Sequence, residues 1–263
     1  MNELEKKKHT GLINAKFAVL IDADNNSKDY IKVVFDEMTD EGIITYKRMY
    51  GDWTSPNLKS MKDVLLEYSI TPMQQYSYTK GKNSTDSAMI IDAMDILYTG
   101  DVDGFCLVSS DSDFTKLASR LREAGKFVIG MGRQQTPKAF VSACNKFKFV
   151  DLINENMAQE AQDKGIPKVE IKNQEEQNSK TPIEEIKKAI TKIIEEKSDD
   201  EGWVLVSLVG IMLQNKYSDF DSRNYGHKKM TSLLKELDFE IKAFKESDAS
   251  RKSGQVFYIR LKK

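Results

Sequence analysis

Cysteine and histidine are nearly absent from this sequence: 263 residues hold two of each, Cys106 and Cys144, His9 and His227. Two thiols cannot build a disulfide framework or a thiolate zinc site, and they suit a reducing compartment. Two imidazoles exclude a histidine-rich centre, so any metal here must be held by oxygen. No apolar run is long enough to cross a bilayer. The N-terminal MNELEKKKHTGLINAKFAVLID has a charged start but no apolar stretch ending in a small-residue cleavage site. No secretory signal is therefore expected, and the chain reads as cytoplasmic with no membrane partner. A glycine-rich phosphate loop of the GxxxxGK[ST] kind is also missing, which disfavours phosphoryl transfer from a nucleotide. Charge of one sign is absent too: 40 Lys and Arg face 41 Asp and Glu. A polyanionic partner would have to be met by local patches.

What is present is the composition of an ordinary folded protein, 40% hydrophobic and 31% charged, at a length that suits two domains. Over the first 150 or so residues, short apolar runs alternate with longer helical patterns. Strands are expected at Phe17 to Ile21, Ile43 to Met49, Ile70 to Tyr76, Gly104 to Ser109, Phe127 to Met131 and Phe147 to Val150. Helices are expected at Tyr30 to Met38, Pro56 to Tyr68, Thr85 to Tyr98, Phe114 to Ala124 and Pro137 to Cys144. Ser55-Pro56 and Thr136-Pro137 each read as a hydroxyl N-cap before a proline at the first helical position, and Gly125 as a helix stop. Such alternation predicts an α/β domain, a mostly parallel sheet with helices on both faces, whose ligands bind outside the carboxyl ends of the strands.

From about Leu152 to Lys180 the composition shifts to Asn, Gln, Glu and Lys, which reads as a mobile linker, with a short helix there as the alternative. Thr181-Pro182-Ile183-Glu184 then reads as a capping box opening a helix that runs to about Glu196. Two more helices are expected at Trp203 to Leu213 and Tyr225 to Leu237. Strands follow at Phe239 to Ala243 and Val256 to Leu261. Three helices and a hairpin make a winged-helix outline.

The placement of carboxylates is the most informative feature. Asp22 stands where the buried run Phe17 to Ile21 ends, and Asp111 and Asp113 follow the run Phe105 to Val108. Parallel strands deliver both groups to one edge of the sheet. Asp86 opens the helix after a third strand that runs toward that edge. Carboxylates brought so close repel one another unless a cation sits among them. A hard divalent ion such as Mg²⁺ prefers such ligands, can turn a bound water into a nucleophile, and stabilises the leaving oxygen of a phosphodiester.

Each residue also has a bland reading. Asp113 precedes a helix and could simply cap it. Asp24 and Asp29 read as cap or surface residues. Asp92 and Asp95 lie one and a half to two and a half turns beyond Asp86, too far round the helix to share its face closely, and are left outside the site. Tyr46, Arg48, Trp53 and Arg133 fall after or near strand ends, where surface packing is the ordinary role and a substrate groove the alternative. Asp22 and Asp111 directly follow buried strands, where a carboxylate has no structural duty unless it caps or binds.

Taken together, Leu20 to Asn25 (LIDADN), Lys82 to Asp95 (KNSTDSAMIIDAMD) and Val108 to Phe114 (VSSDSDF) resemble the NYN domain family, a branch of the PIN-like nucleases. The resemblance covers roughly residues 12 to 151. It implies a three-layer α/β/α fold and a ribonuclease whose Mg²⁺ or Mn²⁺ centre is formed by Asp22, Asp86, Asp111 and Asp113, with Asn25 beside it; Asn25 and Lys82 are the residues expected to contact the nucleic acid there. At Ser110 many relatives carry glycine, and a serine there is common too. The segment from Phe220 to Leu234 resembles the LOTUS, or OST-HTH, domain, over about residues 181 to 263. That family implies a winged-helix module that binds single-stranded or structured RNA, and in some relatives a protein partner. Relatives often pair, which implies a homodimer. Independently, Arg223, Tyr225, His227, Lys228 and Lys229 mix bases with an aromatic, a composition suited to phosphates and stacking. Against this stand a core role for Tyr225 and a solvated face for the lysines. Arg251 and Lys252 are weaker candidates. The alternative for the whole chain is a non-catalytic RNA-binding or scaffold protein.

Overall fold

The computed structural model describes residues 15–76, 84–162, 180–245 and 255–262. The chain divides into two compact units, Met1–Ser179 and Lys180–Lys263.

The first unit is built on six strands: β1 (Lys16–Asp22), β2 (Ile43–Gly51), β3 (Thr71–Gln74), β4 (Gly104–Val108), β5 (Phe127–Gly132) and β6 (Lys146–Phe149). All pair in parallel, in the order β3-β2-β1-β4-β5-β6. Among the described residues, six helices accompany them: α1 (Lys28–Thr39), α2 (Lys62–Glu67), α3 (Ser84–Thr99), α4 (Thr115–Glu123), α5 (Lys138–Ala143) and α6 (Val150–Gln162). Side chains alternate across a strand, so β1 feeds two cores. Phe17, Val19 and Ile21 pack with residues of α1, α2 and α6, while Ala18 and Leu20 pack with α3, α4 and α5. The result is the expected three-layer α/β/α arrangement. Strand order reverses between β1 and β4, which lie side by side with Ile21 opposite Val108. This switch point is where a doubly wound sheet opens a crevice at its carboxyl edge.

Helix starts follow the sequence in part. Ser55 accepts from the Asn57 N–H ahead of a 3₁₀ turn, Pro56–Met61, that leads into α2. Gly125 takes a left-handed φ of 78° past α4, a conformation that glycine adopts without a Cβ clash. Thr136 differs from expectation. Its hydroxyl donates back to the Arg133 carbonyl at 2.6 Å, and α5 starts after Pro137 with no side-chain cap. The segment read from its composition as a linker begins inside α6; its stretch 163–179 lies outside the described residues. Between α1 and β6, buried Lys148 is held by Glu37 at 2.8 Å and Glu41 at 2.7 Å, so its charge is compensated on two sides.

The second unit has the order α7 (Ile183–Lys197), β7 (Val204–Leu205), α8 (Val206–Lys216), α9 (Met230–Glu236), β8 (Glu240–Lys245) and β9 (Gln255–Arg260). A 3₁₀ turn, Ser222–Tyr225, precedes α9. The strands form an antiparallel sheet, β7-β9-β8, and complete a winged helix. The expected helix at Trp203 starts later, because Val204 and Leu205 pair with Ile259 and Tyr258. Thr181 is not the N-cap of α7: its N–H and hydroxyl both donate to buried Asp219, at 2.6 and 2.8 Å.

Candidate metal centre

The carboxyl edge of the parallel sheet collects its acids from three segments, as the strand order requires. Asp22 ends β1 and is fully buried. Its Oδ2 accepts from Asn25 Nδ2 at 2.7 Å and from Ser109 Oγ at 2.8 Å, and its Oδ1 from the Asp24 N–H at 3.1 Å. Burial still raises its pKa, against the pull of those donors. Ser109, also fully buried, accepts from the Asp111 N–H at 3.1 Å, so one hydroxyl joins the end of β1 to the loop after β4. Asn26 reinforces the joint, its Nδ2 donating to the carbonyls of Asp22 and Val108 at 2.7 and 2.9 Å. At the end of β5, Gly132 lets this loop come close: a Cβ there would lie 2.6 Å from the Ser109 carbonyl oxygen.

Beyond the joint, Asp111 caps the 3₁₀ turn Ser112–Phe114, accepting from the Asp113 N–H at 2.9 Å. The capping role that the sequence offered Asp113 therefore belongs to Asp111. Asp86 stands in the first turn of α3. Thr85, beside it, donates to Asp24 Oδ2 at 3.0 Å and ties α3 to the loop after β1. Asp86, Asp111 and Asp113 each offer a carboxylate oxygen within 4.8 Å of the others. Asp22 adjoins this trio rather than joining it, with its oxygens turned to Asn25, Ser109 and Asp24. Asp86 titrates at about 6: burial comes first, then repulsion from Asp22, Asp111, Asp113 and Asp24. A cation would relieve this repulsion, and an all-oxygen donor set suits a hard divalent ion such as Mg²⁺ or Mn²⁺. The loop after β1, Asp22-Ala23-Asp24-Asn25-Asn26, has no glycine with which to cradle a dinucleotide at the switch point.

Other residues singled out in the sequence fall elsewhere. Asn25 holds Asp22. Lys82, Arg251 and Lys252 lie outside the described residues. Asp29 sits at the start of α1, bonded to its cap Ser27, and Asp95 is exposed. Trp53 donates to the Met73 carbonyl at 3.2 Å. The Arg133 N–H donates to Ser110 Oγ at 2.9 Å, which gives that serine a structural role. Asp92, left outside the site, is engaged by Arg48 and Tyr50 from β2. Ser109 and Asn26 are site residues that the sequence reading did not single out. Their signal was position, polar side chains set directly beside strand ends.

In the second unit, the residues nominated for RNA are unequal. Tyr225 packs in the core, with its ring 6.2 Å from that of Phe220 and its hydroxyl donating to the Thr181 carbonyl at 2.8 Å. Arg223 forks onto Asp221. His227 Nε2 lies 2.8 Å from Glu236 Oε2. Lys228 and Lys229 are exposed at the start of α9.

No curated protein matches the chain. Among solved structures, a protein of unknown function from Vibrio parahaemolyticus, VPA0982, is 22% identical, with a TM-score of 0.45, over 52% of this chain and 94% of that one. The WlbA dehydrogenase from Bordetella pertussis, solved with NADH and UDP-GlcNAcA, is 16% identical, with a TM-score of 0.29, over 58% and 39%. Likenesses this low carry no weight for the fold or the site. Family models are more telling: the NYN domain matches residues 16–152, just over half of the chain, and the OST-HTH/LOTUS domain matches residues 181–247. With its parallel sheet and its acidic edge, and with a winged helix later in the sequence, the chain belongs to the NYN domain family and carries an OST-HTH/LOTUS domain after it.

Proposed function

We propose that the protein is a ribonuclease that hydrolyses RNA phosphodiester bonds with a divalent ion, Mg²⁺ or Mn²⁺, held at the carboxyl edge of its NYN domain. The observation that carries this reading is the approach of Asp86, Asp111 and Asp113 within 4.8 Å, in a domain of a nuclease family. Those three residues would hold the ion. When bound, it would supply a water of lowered pKa and charge stabilisation for the leaving oxygen. Asp22, fixed by Asn25 and Ser109, adds negative potential beside the trio and favours retention of a cation. Asp111 gains orientation from its own capping bond, and Asp86 from the Thr85 to Asp24 bond at the root of α3.

The second unit would bind the RNA and raise its concentration near the cutting edge, since linked weak binders gain avidity without new contacts. Exposed Lys228 and Lys229 are its foremost phosphate contacts in this reading. Two buried, unbridged cysteines agree with a reducing, cytoplasmic setting. The test incubates the full chain with single-stranded RNA and Mn²⁺. Cleavage that stops with chelator and in Asp22→Asn and Asp111→Asn is expected. Cleavage that survives either substitution contradicts the site, and RNA affinity without cleavage under any divalent ion makes the protein a binding module instead.

A further inference from the structure

Asp92 stands on the packed side of α3, three residues after buried Met89 and four before buried Ile96. A carboxylate in such a place is costly unless its oxygens find donors. Both donors come from β2: Arg48 Nη1 donates to Oδ1 and the Tyr50 hydroxyl to Oδ2. Arg48 is steadied by the Tyr46 ring, whose centroid is 5.2 Å from the guanidinium carbon. Tyr50 is fully buried, and burial together with Asp92 pushes its phenol well above the usual range, so it remains a donor.

The same tyrosine reaches the other arm of the site. It is the register partner of Asp22 across β1 and β2, and its carbonyl accepts from the Ala23 N–H at 2.9 Å. Tyr50 thus holds both the strand end that carries Asp22 and the helix that carries Asp86. Apolar packing alone specifies the rotation of that helix weakly, because α3 is apolar on more than one side. Met89, Ala93 and Ile96 face the core, while Ile91 and Tyr98 are 63% and 70% exposed. With apolar residues on its outer side as well as its inner one, the helix is weakly oriented by burial, and directional bonds to one charged residue can select one orientation.

We propose that Tyr50, with Arg48 and Asp92, is a positioning device that works with the Thr85 to Asp24 bond at the root of α3 to set the rotation and depth of the helix, so that Asp86 meets Asp111 and Asp113. The consequence for metal rests on the ribonuclease reading; the clamp itself does not. Tyr50→Phe removes one hydroxyl and keeps the ring, and Asp92→Asn keeps the shape should that variant fail to fold. Two measurements read the result on the full chain: ligand-free crystal structures of wild type and variant, and Mn²⁺ titration by calorimetry. The expected outcome is a displaced Asp86 carboxylate and Mn²⁺ affinity about 10-fold weaker, the size of effect seen when groups supporting a ligand are removed. Asp86 in its wild-type place in both variants overturns the inference, whatever the affinity does. A displaced Asp86 with unchanged Mn²⁺ affinity upholds the clamp and overturns its consequence for metal. If the wild-type chain binds no Mn²⁺, the metal reading fails by itself, and the position of Asp86 in the two crystals still decides the clamp.

Discussion

The two units treat charge in opposite ways. In the NYN domain, carboxylates of like sign are drawn together at one edge, and Asp86 is pushed up to about 6, by burial first and by the repulsion of its neighbours second. In the winged helix, two of the side chains nominated for function lean on carboxylates, Arg223 on Asp221 and His227 on Glu236. The first unit can pair charge too, as buried Lys148 shows between Glu37 and Glu41. Its acidic edge is therefore a local exception, and an exception of this kind points to a ligand that supplies the missing charge. Opposite-sign pairs in the second unit are explained by the fold itself.

The largest effect should come from the acidic edge. Asp86→Asn or Asp111→Asn should lower RNA cleavage by about 100-fold or more, because several kcal/mol of transition-state stabilisation are at stake and each factor of ten is about 1.4 kcal/mol. Single-turnover rates at saturating Mn²⁺ measure this, and retention of near wild-type rates would erase the contrast between the units.

Next in size is a pH effect with a definite sign. Asp86 titrates at about 6 in the folded, metal-free protein, against about 4 in an unfolded chain. Between those values the native state keeps a proton that the unfolded state has lost, so this group makes stability fall as pH rises through the window. Asp86→Asn should therefore raise the melting temperature of the metal-free protein at pH 7 and change it little at pH 4. Mn²⁺ affinity should fall below about pH 6, since the ligand must be deprotonated. Thermal melts of both proteins across pH check the sign; an Asp86→Asn protein less stable at pH 7 would mean that the carboxylate is stabilised where it stands.

Smaller effects belong to the winged helix. Lys228→Ala and Lys229→Ala should each weaken RNA binding and reduce the salt dependence by roughly 0.7 in log–log slope, the contribution of one phosphate contact to a single strand. Arg223→Ala should act first on stability, since it leaves Asp221 without its fork. Smallest is Tyr225→Phe, which removes the hydrogen bond to the Thr181 carbonyl and should cost about 1 kcal/mol of unfolding free energy in denaturant melts. RNA affinity should stay unchanged, because the ring is retained. A strong loss of RNA binding with normal stability would move Tyr225 from the core to the interface.

Much of this was legible in the sequence because it was local. Apolar runs ending in Asp22 and Ser109 announced strands, and parallel strands can deliver their ends to one edge alone. The same locality misled at Thr136 and Thr181, whose hydroxyls looked like helix caps. Each had a better partner: the Arg133 carbonyl for one, and Asp219, thirty-eight residues away, for the other. Asp92 was passed over for the same reason, since its partners Arg48 and Tyr50 lie on a strand more than forty residues earlier. Polar side chains whose duty is tertiary leave no pattern along the chain. Composition left a short helix open after Leu152, and α6 runs through that Asn- and Glu-rich sequence because Val150 and Ile153 pack into the core.

The most direct measurement is anomalous diffraction from a crystal of the full chain grown with Mn²⁺. The account predicts a strong peak bounded by carboxylate oxygens of Asp86, Asp111 and Asp113, with Asp22 beside it. Density free of any such peak at an ion concentration that supports cleavage, or a peak held by other residues, would contradict it.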